Sequence, residues 1–412
     1  MTSALLLFFF FGAGQPAQAA PDSCVTCHSA LDDKLGAPAK AFAAADVHQK
    51  AGFSCVDCHG GDRTTDDMAA AMNKAKGFIA KPKRTAIPAL CAKCHSDANF
   101  MQKYKPQQRV DQFQEYKTST HGKLLAGGDE NVATCIDCHG AHGVREVKDP
   151  QAAVYPTHLP QVCASCHANT EHMAKYKIPT NQFKDYQTSV HWEALSKRMD
   201  LSAPNCASCH GNHGAKPPQA ASTAAVCGTC HALVEQLYKG SPHQPVFASM
   251  GLAGCVTCHQ NHAVQRPTDA FLGGKDAVCT TCHDADSKGG KASAAMYKGI
   301  HDLDDSLNRA EAILSTARRA GMEVSEPTLQ LQDAKDRLIK ARVAIHNFRP
   351  EAVRAPVEEG LKIAGASYKA GEEAMTERTF RRNGLIVSLV AIFLTMCGLF
   401  LAIRAIEAKK TS

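Results

Sequence analysis

The chain has 412 residues, of which 21% are charged and 6% are aromatic, and it contains 19 cysteines and 20 histidines. A cytosolic enzyme rarely keeps so many thiols, and a secreted domain held by disulfides is usually shorter than about 100 residues, so the composition excludes both classes. The formal net charge of +6 would by itself suggest an anionic partner. The positions of the cysteines and histidines in the sequence carry the further argument.

The first residues predict a secretory signal peptide. Residues 1–19 carry no charge, contain an apolar stretch from Ala4 to Phe11 and end in a small-residue cleavage pattern at Ala17 to Ala19. The positively charged start of such peptides is missing, which leaves an uncleaved N-terminal anchor as the alternative. We disfavour that alternative because so short an apolar run cannot cross about 30 Å of hydrocarbon.

Eighteen of the nineteen cysteines fall into nine Cys-x-x-Cys-His motifs, whereas chance predicts roughly 0.04 such motifs. Two thiols three positions apart on a helical turn can bond the two vinyl groups of one haem, and the adjacent histidine then supplies the proximal iron ligand. The predicted attachment residues are Cys24, Cys27, Cys55, Cys58, Cys91, Cys94, Cys135, Cys138, Cys163, Cys166, Cys206, Cys209, Cys227, Cys230, Cys255, Cys258, Cys279 and Cys282. The predicted proximal ligands are His28, His59, His95, His139, His167, His210, His231, His259 and His283.

Structural zinc is the main alternative for these motifs, because cysteine and histidine both bind zinc. Zinc would not require a histidine directly after every second cysteine, nor a secretory signal, so we predict nine covalently attached c-type haems. Nine haems would also add eighteen propionates, which more than offset the positive charge of the chain. The basic residues therefore give no reason to expect a nucleic-acid partner.

Eleven histidines lie outside the motifs, enough for a second, distal ligand at every haem. Internal repeats narrow the choice, since the segment from Phe113 to Gly122 recurs from Phe183 to Trp192 and several motifs continue as CHGAHG, CHGNHG or CHQNH. The repeating unit reads S-x-H, CxxCHGxH, CxxCH, with a degenerate first copy. We predict as distal ligands His48, His121, His142, His191, His213, His243 and His262.

The sequence leaves two questions about ligation open. His158, His172, His301 and His346 are not in repeated positions, and two of them would complete a set of nine distal ligands. Each repeat could supply its own distal ligands or exchange them with a neighbour. Two histidines at every iron would give an electron carrier, whereas one open position would let a substrate bind.

The predicted fold class is mainly α-helical with extensive loops and almost no sheet. Residues 20–284 are predicted to form a nonahaem domain, because the macrocycles supply the buried apolar surface. Residues 285–382 are predicted to form a helical hairpin or stalk, since apolar residues recur at spacings of three and four from Ile300 to Ala317 and from Leu331 to Ile345. A third helix is predicted to start at Pro350 and to be interrupted near Pro356. An oligomerisation helix is the alternative to a packing stalk.

Residues 384–403 form a twenty-residue run without a charge, which predicts one transmembrane helix. Basic residues lie on both sides, so the positive-inside rule does not decide the orientation. The predicted signal peptide decides it, placing 20–383 outside the cytoplasm and 404–412 in a cytoplasmic tail. We expect the protein at the periplasmic face of the bacterial cytoplasmic membrane, held by a single-pass C-terminal anchor.

The motifs, the S-x-H and CHGxH units and the C-terminal anchor together resemble the membrane-anchored periplasmic multihaem cytochromes c. Those are related to the superfamily of multihaem carriers, pentahaem nitrite reductase and octahaem hydroxylamine oxidoreductase. The chain has no CxxCK motif and no pattern that identifies a cross-linked tyrosine, and its anchor is not N-terminal as in quinol-oxidising tetrahaem cytochromes. The resemblance implies electron transfer along stacked haems.

The favoured function is therefore electron transfer between the membrane redox chain and periplasmic or extracytoplasmic acceptors, without catalysis. A single transmembrane helix offers no quinone pocket, so the expected partners are a membrane quinone oxidoreductase or other electron-transfer subunit and a soluble periplasmic redox protein. The alternative is an oxidoreductase acting on a small nitrogen or sulfur oxyanion, such as nitrite or hydroxylamine, at one open haem. An assembly role is a third hypothesis.

Overall fold

A computed structural model of the protein describes residues 22–274 and 277–410. The predicted signal peptide at 1–19 lies outside the described residues. The chain is 66% helical, and no strand occurs in the described residues. The mainly α-helical fold class predicted from the sequence is confirmed.

The chain divides into two compact units. The first consists of the residues up to Pro218 together with His262–Val264, and the second of Gln219–Asn261 together with Gln265–Ser412. The last three haem motifs are thus grouped with the C-terminal helices rather than with the other six motifs. The boundary at residue 284 stays a prediction.

The first unit is built from short helices joined by loops and tight turns. Its helices are α1 (Ser23–Ser29), α2 (Asp33–Ala45), α3 (Val47–Lys50), α4 (Cys55–His59), α5 (Met68–Ala71), α6 (Ile87–His95), α7 (Ala98–Tyr104), α8 (Gln112–Thr118), α9 (Thr120–Ala126), α10 (Cys135–His139), α11 (Leu159–His167), α12 (Thr170–Ala174), α13 (Gln182–Tyr186), α14 (Val190–Trp192) and α15 (Cys206–His210). Single 3-10 turns lie at Lys74–Lys76 and Arg84–Ala86, and a π turn lies at Glu193–Lys197.

The second unit combines four short helices with three long ones. The short helices are α16 (Thr223–Gly228), α17 (Ala232–Lys239), α18 (His243–Met250) and α19 (Val256–His259), and the long ones are α20 (Lys288–Arg319), α21 (Ser325–Ala344) and α22 (Pro350–Lys410). Further 3-10 turns lie at Ala220–Ser222, Asp269–Phe271, Val278–Thr281 and Ile345–Asn347.

The hydrophobic core of the second unit lies between α20, α21 and α22. The two predicted apolar stripes face this core, with Ile300 and Leu303 fully buried on α20 and Leu331 and Leu338 buried on α21. A helix that carries one apolar stripe gains its stability by burying that stripe against its neighbours. The periodicity of the sequence therefore predicted the packed faces of these helices.

The interruption predicted near Pro356 is wrong, because α22 continues through this residue. Proline removes one backbone hydrogen bond from a helix and crowds the preceding turn. Val353 and Val357 flank it and are only 2% and 4% exposed in the core. Their packing against α20 and α21 holds the helix together across the proline.

Leu303→Ala is expected to lower the free energy of unfolding by about 3 kcal/mol, since truncating a buried leucine typically costs about 2–5 kcal/mol. Leu303 is fully buried, and Gly360 on α22 lies close beside it. Leu329→Ala, at a side chain that is 72% exposed on α21, is the control and should change stability by less than about 0.5 kcal/mol. Urea unfolding followed by circular dichroism measures both, and equal midpoints would contradict the packing described.

The C-terminal part of α22 is long and apolar enough to cross a membrane. Its most apolar 18-residue window has a mean hydropathy of 2.7, and none of that window is buried. Large apolar side chains from Leu385 to Ile403 point outward. A face of this kind is stable in lipid, which agrees with the predicted membrane anchor.

Candidate haem sites

Most of the haem motifs stand on a helix whose start is fixed by local sequence. Ser54, Thr134 and Asn205 precede the second, fourth and sixth motifs and form capping boxes with the side chain three residues later. The third and fifth motifs end the longer helices α6 and α11, which carry proline in their first turn. The first motif is capped by Asp22, whose Oδ1 accepts a hydrogen bond from the Cys24 N–H at 3.0 Å.

The residue after each of four motif helices turns the chain sharply. Gly60, Gly140 and Gly211 lie at φ values of 67°, 81° and 79° with ψ values of −165°, 162° and 163°, a region that essentially only glycine occupies without strain. At the eighth motif, Gln260 takes the same conformation, with φ 63° and ψ −177°. This turn directs the chain to the next histidine of the CHGxH pattern, so glycine is favoured there for a backbone reason.

We expect Gln260→Gly to stabilise the protein by about 1 kcal/mol, because strain of this kind costs about 1–3 kcal/mol and glycine returns part of the gain through its greater freedom in the unfolded chain. The reciprocal Gly140→Gln should destabilise it by about 2 kcal/mol. A Cβ at Gly140 would meet nothing closer than 3.6 Å, so steric overlap does not account for that loss. Thermal unfolding should show a higher melting temperature for Gln260→Gly and a lower one for Gly140→Gln. A shift in the same direction for both variants would contradict the proposed backbone strain.

All nineteen cysteines are free of disulfides, and within each unit those of consecutive motifs lie side by side. In the first unit, a side-chain contact with Cys135 raises the pKa of Cys91, and the same kind of contact joins Cys163 to Cys206. In the second unit the contact with Cys227 raises the pKa of Cys255. These contacts link the third motif to the fourth, the fifth to the sixth and the seventh to the eighth.

A second set of contacts links the remaining neighbours within the units. Burial, then Asp22 and Cys24, raise the pKa of Cys55 to about 11, which places the first motif beside the second. Equivalent effects on thiol pKa values, after that of burial, join Cys58 to Cys94, Cys138 to Cys166 and Cys258 to Cys279. The attachment sites therefore form one continuous series from the first to the sixth motif in the first unit, and another from the seventh to the ninth in the second.

Seven proximal histidines face a second histidine ring. In all seven pairs the ring centroids are 5.9–6.1 Å apart, and the pairs are His48 with His95, His121 with His167, His243 with His283, His59 with His142, His139 with His213, His210 with His262 and His259 with His346. A metal held at about 2.0 Å by a ring nitrogen on each side requires centroids roughly 6 Å apart. The uniform spacing therefore fits one iron between the two rings of each pair.

The seven pairs fall into two geometric classes. In the leading pairs, the first histidine of a repeat faces the second motif of that repeat, with the ring planes 83°, 61° and 85° apart. These histidines are His121 and His243 of the S-x-H pattern and His48, which has Asp46 in place of the serine. In the crossing pairs, His142, His213, His262 or His346 faces a motif of an earlier repeat, with planes 8°, 10°, 8° and 24° apart. Some motif histidines thus face a histidine of their own repeat, and others face a histidine from elsewhere in the chain.

In three repeats a backbone hydrogen bond joins the segment of a leading histidine to the segment of a crossing histidine. The residue before a leading histidine donates its N–H to the carbonyl two residues after a crossing histidine of the next repeat. These bonds run from Val47 to Val144 (2.8 Å), from Thr120 to Ala215 (3.0 Å) and from Val190 to Val264 (2.9 Å). The third bond explains why His262–Val264 belongs to the first unit although the residues on both sides of it belong to the second.

The fourth repeat differs because Pro242, which has no N–H, precedes its leading histidine His243. The equivalent backbone bond cannot form there. His346, in the turn after α21, faces His259 instead, and Phe348 packs against the His243 ring with centroids 4.1 Å apart. The sequence had left His346 among four undecided histidines, and no repeated pattern surrounds it.

Hydrogen bonds from the outer ring nitrogens orient several of these histidines. His48 Nδ1 donates to Asp46 Oδ1 at 2.9 Å, and the other oxygen of Asp46 accepts from the Val144 N–H at 2.9 Å. Asp46 is 1% exposed; burial raises its pKa, but the hydrogen bonds from His48 and Val144 outweigh burial and hold the pKa below its ordinary value. A ligand histidine fixed in this way presents Nε2 to the metal.

Burial lowers the pKa of most of the facing histidines and so favours neutral rings near pH 7, the form that binds a metal. The histidines concerned are His95, His121, His139, His142, His167, His213, His243, His259, His262 and His346. The thiols, the ring spacing and the neutral rings all fit c-type haem.

The structure does not bring every candidate histidine to a motif. His158, His172 and His301 each lie against a tyrosine, with ring centroids 5.7–6.1 Å apart. His28 faces no second histidine within the described residues. His191 and His231 have contacts of their own, and the ligand roles of all these histidines stay predictions.

Comparisons with known proteins point to multihaem c-type cytochromes. Residues 47–148 and 199–284 match the cytochrome c3 family model. Over 225 residues the chain is 24% identical to a C-type polyheme cytochrome, OmcC, of Geobacter sulfurreducens, an alignment that covers 48% of this chain and 27% of that protein. The chain therefore spans about a quarter of the length of this relative, and no solved structure matches it at a significant level.

Proposed function

We propose that this chain, which is a multihaem c-type cytochrome, transfers electrons between the membrane redox chain and periplasmic or extracytoplasmic acceptors through nine covalently bound haems. Electron transfer is the activity that its similarity to multihaem cytochromes supports. The observation that carries the finer proposal is the continuous series of attachment sites within each unit, seven of which lie between two histidine rings.

Each covalently bound haem would supply a one-electron iron centre. The chain's own residues determine what that centre can do. Paired cysteines would fix its position, and at the seven motifs with a facing pair a histidine on each side would close both axial positions. Hydrogen bonds such as that from His48 to Asp46 fix the ring orientations. Sites closed on both sides favour electron passage over substrate binding.

The location and partners belong to the same proposal. The apolar part of α22 would anchor the chain, and covalent haem attachment together with the apolar start of the sequence would place both units on the periplasmic side. The electron donor or acceptor in the membrane would be a quinone oxidoreductase or another electron-transfer subunit. A soluble periplasmic redox protein would exchange electrons at the other end.

The proposal is tested with the full chain in proteoliposomes. Intact mass and the pyridine haemochrome assay should give nine haems per chain. Quinol alone should reduce the protein slowly, and adding a quinol-oxidising membrane complex should accelerate its reduction at least tenfold. A count below nine haems per chain would contradict the proposed haem number. Rapid reduction by quinol alone would contradict the proposed need for a membrane partner.

A further inference from the structure

We infer that the haem at the first motif, Cys24 to His28, keeps one axial position open and binds small iron ligands such as carbon monoxide or cyanide. This inference rests on the proposed haem loading. It adds a ligand-binding site to a protein in which seven other motifs face a second histidine.

The first observation is that, within the described residues, no histidine is placed to face His28. All twenty lie within the described residues, and fourteen of them form the seven facing pairs. His158, His172 and His301 lie against tyrosines instead, and His191 and His231 have contacts of their own. Leading and crossing positions together supply eight histidines, which matches the eight motifs after the first.

The second observation is that the proximal side of the first site is fully built. His28 Nδ1 lies 3.2 Å from the Leu35 carbonyl oxygen, as His59 Nδ1 lies 2.8 Å from the carbonyl of Ile79. Helix α2 lies close to the end of α1, since a Cβ on Gly36 would lie 3.2 Å from the His28 carbonyl oxygen. The chain after the motif thus holds the outer nitrogen of His28 as it holds that of His59, and no second histidine faces His28 within the described residues.

The third observation is that this site lies at the surface. Cys27 is exposed, and Leu31 and Leu35, on the chain that follows the motif, are 41% and 63% exposed. Solvent therefore reaches the chain beside the first site.

The chemistry requires no oxidant or reductant. Carbon monoxide would donate its carbon lone pair to ferrous iron, and cyanide its carbon lone pair to ferric iron, so one coordination bond forms and none breaks. Pairs of histidines resist such exchange because both axial positions are already filled. The open site should thus be the one that responds.

The experiment is an anaerobic titration of the reduced, full-length holoprotein with carbon monoxide, with haem counted on the same sample. We expect one carbon monoxide per nine haems. The double variant Cys24→Ser/Cys27→Ser should hold eight haems and lose carbon monoxide binding at least tenfold. The matched variant Cys279→Ser/Cys282→Ser also removes one haem, from a site where His243 faces His283, and should still bind one carbon monoxide.

No binding by the wild-type protein, or undiminished binding by the first variant, would overturn the inference. If the double variant does not accumulate, Cys27→Ser keeps a haem on Cys24 alone and should shift the spectrum of the carbon monoxide complex. An unshifted spectrum would also overturn it. Nine low-spin haems without carbon monoxide binding would refute the open site while leaving the proposed electron-transfer function intact.

Discussion

A His213→Ala variant is expected to convert one haem to high spin, and that haem should be the one held by Cys135 and Cys138 of the fourth motif. His213 follows the sixth motif directly in the sequence, but its ring faces His139, with centroids 6.1 Å apart. The sixth-motif histidine, His210, faces His262 instead. Removing one axial ligand opens the iron of the fourth site and leaves the sixth closed.

A double-variant design locates the effect. In a Cys135→Ser/Cys138→Ser background, His213→Ala should add no high-spin signal to the electron paramagnetic resonance spectrum, because the affected haem is already absent. In a Cys206→Ser/Cys209→Ser background, the substitution should still produce that signal. A high-spin signal in the first background but not in the second would show that His213 is a ligand of the sixth-motif haem.

The control for this experiment is His158→Ala. His158 lies against Tyr155 and its Nδ1 donates to the Ala152 carbonyl at 3.1 Å, so it faces no motif histidine. Its removal should leave every low-spin signal in place. A high-spin signal in this variant that the wild-type protein does not show would mean that the facing pairs do not identify the ligands.

The parts of this molecule that the sequence predicts are those set by local physics. A haem motif is defined within five residues, because two thiols and a histidine must share one helical turn. The stalk is equally local, since Leu303 and Leu307 recur at the spacing that places them on one helix face. Such patterns need no knowledge of distant partners.

Which histidine faces which motif could not be read from the sequence, because every candidate has the same chemistry. Distant contacts decide it, such as the bond from the Val144 N–H to Asp46. One local signal was available, since Pro242 cannot donate the hydrogen bond that Val47 donates in the first repeat. This proline therefore predicts that the crossing histidine of the fourth repeat comes from another part of the chain.

Two further differences have the same origin in packing. Local propensity predicts a break at Pro356, but buried neighbours on α22 override it. His346 has no motif around it and reaches His259 only because the turn after α21 returns to α17 and α19. Tertiary contacts of this kind leave no periodic trace in one sequence.

The two classes of ring geometry should appear as two classes of low-spin signal in the oxidised protein. Nearly parallel imidazole planes donate π density along one direction, which separates the two iron orbitals of π symmetry and gives rhombic signals. Imidazole planes that are nearly perpendicular to each other donate along both directions and leave the two orbitals nearly equal in energy. Such sites give signals with a much larger maximum g value. The four crossing pairs should give rhombic signals and the three leading pairs the large-g signals.

Asp46→Asn tests this assignment at one leading pair. The His48 ring stands at 83° to His95, and its Nδ1 bond to Asp46 helps to fix that plane. Weakening the bond should shift one large-g signal and leave the rhombic signals unchanged. Asp149→Asn, at a surface carboxylate bonded to Arg145, is the control and should shift none. If every low-spin signal is rhombic, or if Asp46→Asn moves a rhombic one, ring orientation does not distinguish the two classes and the steep geometry of the leading pairs does not persist once haem is bound.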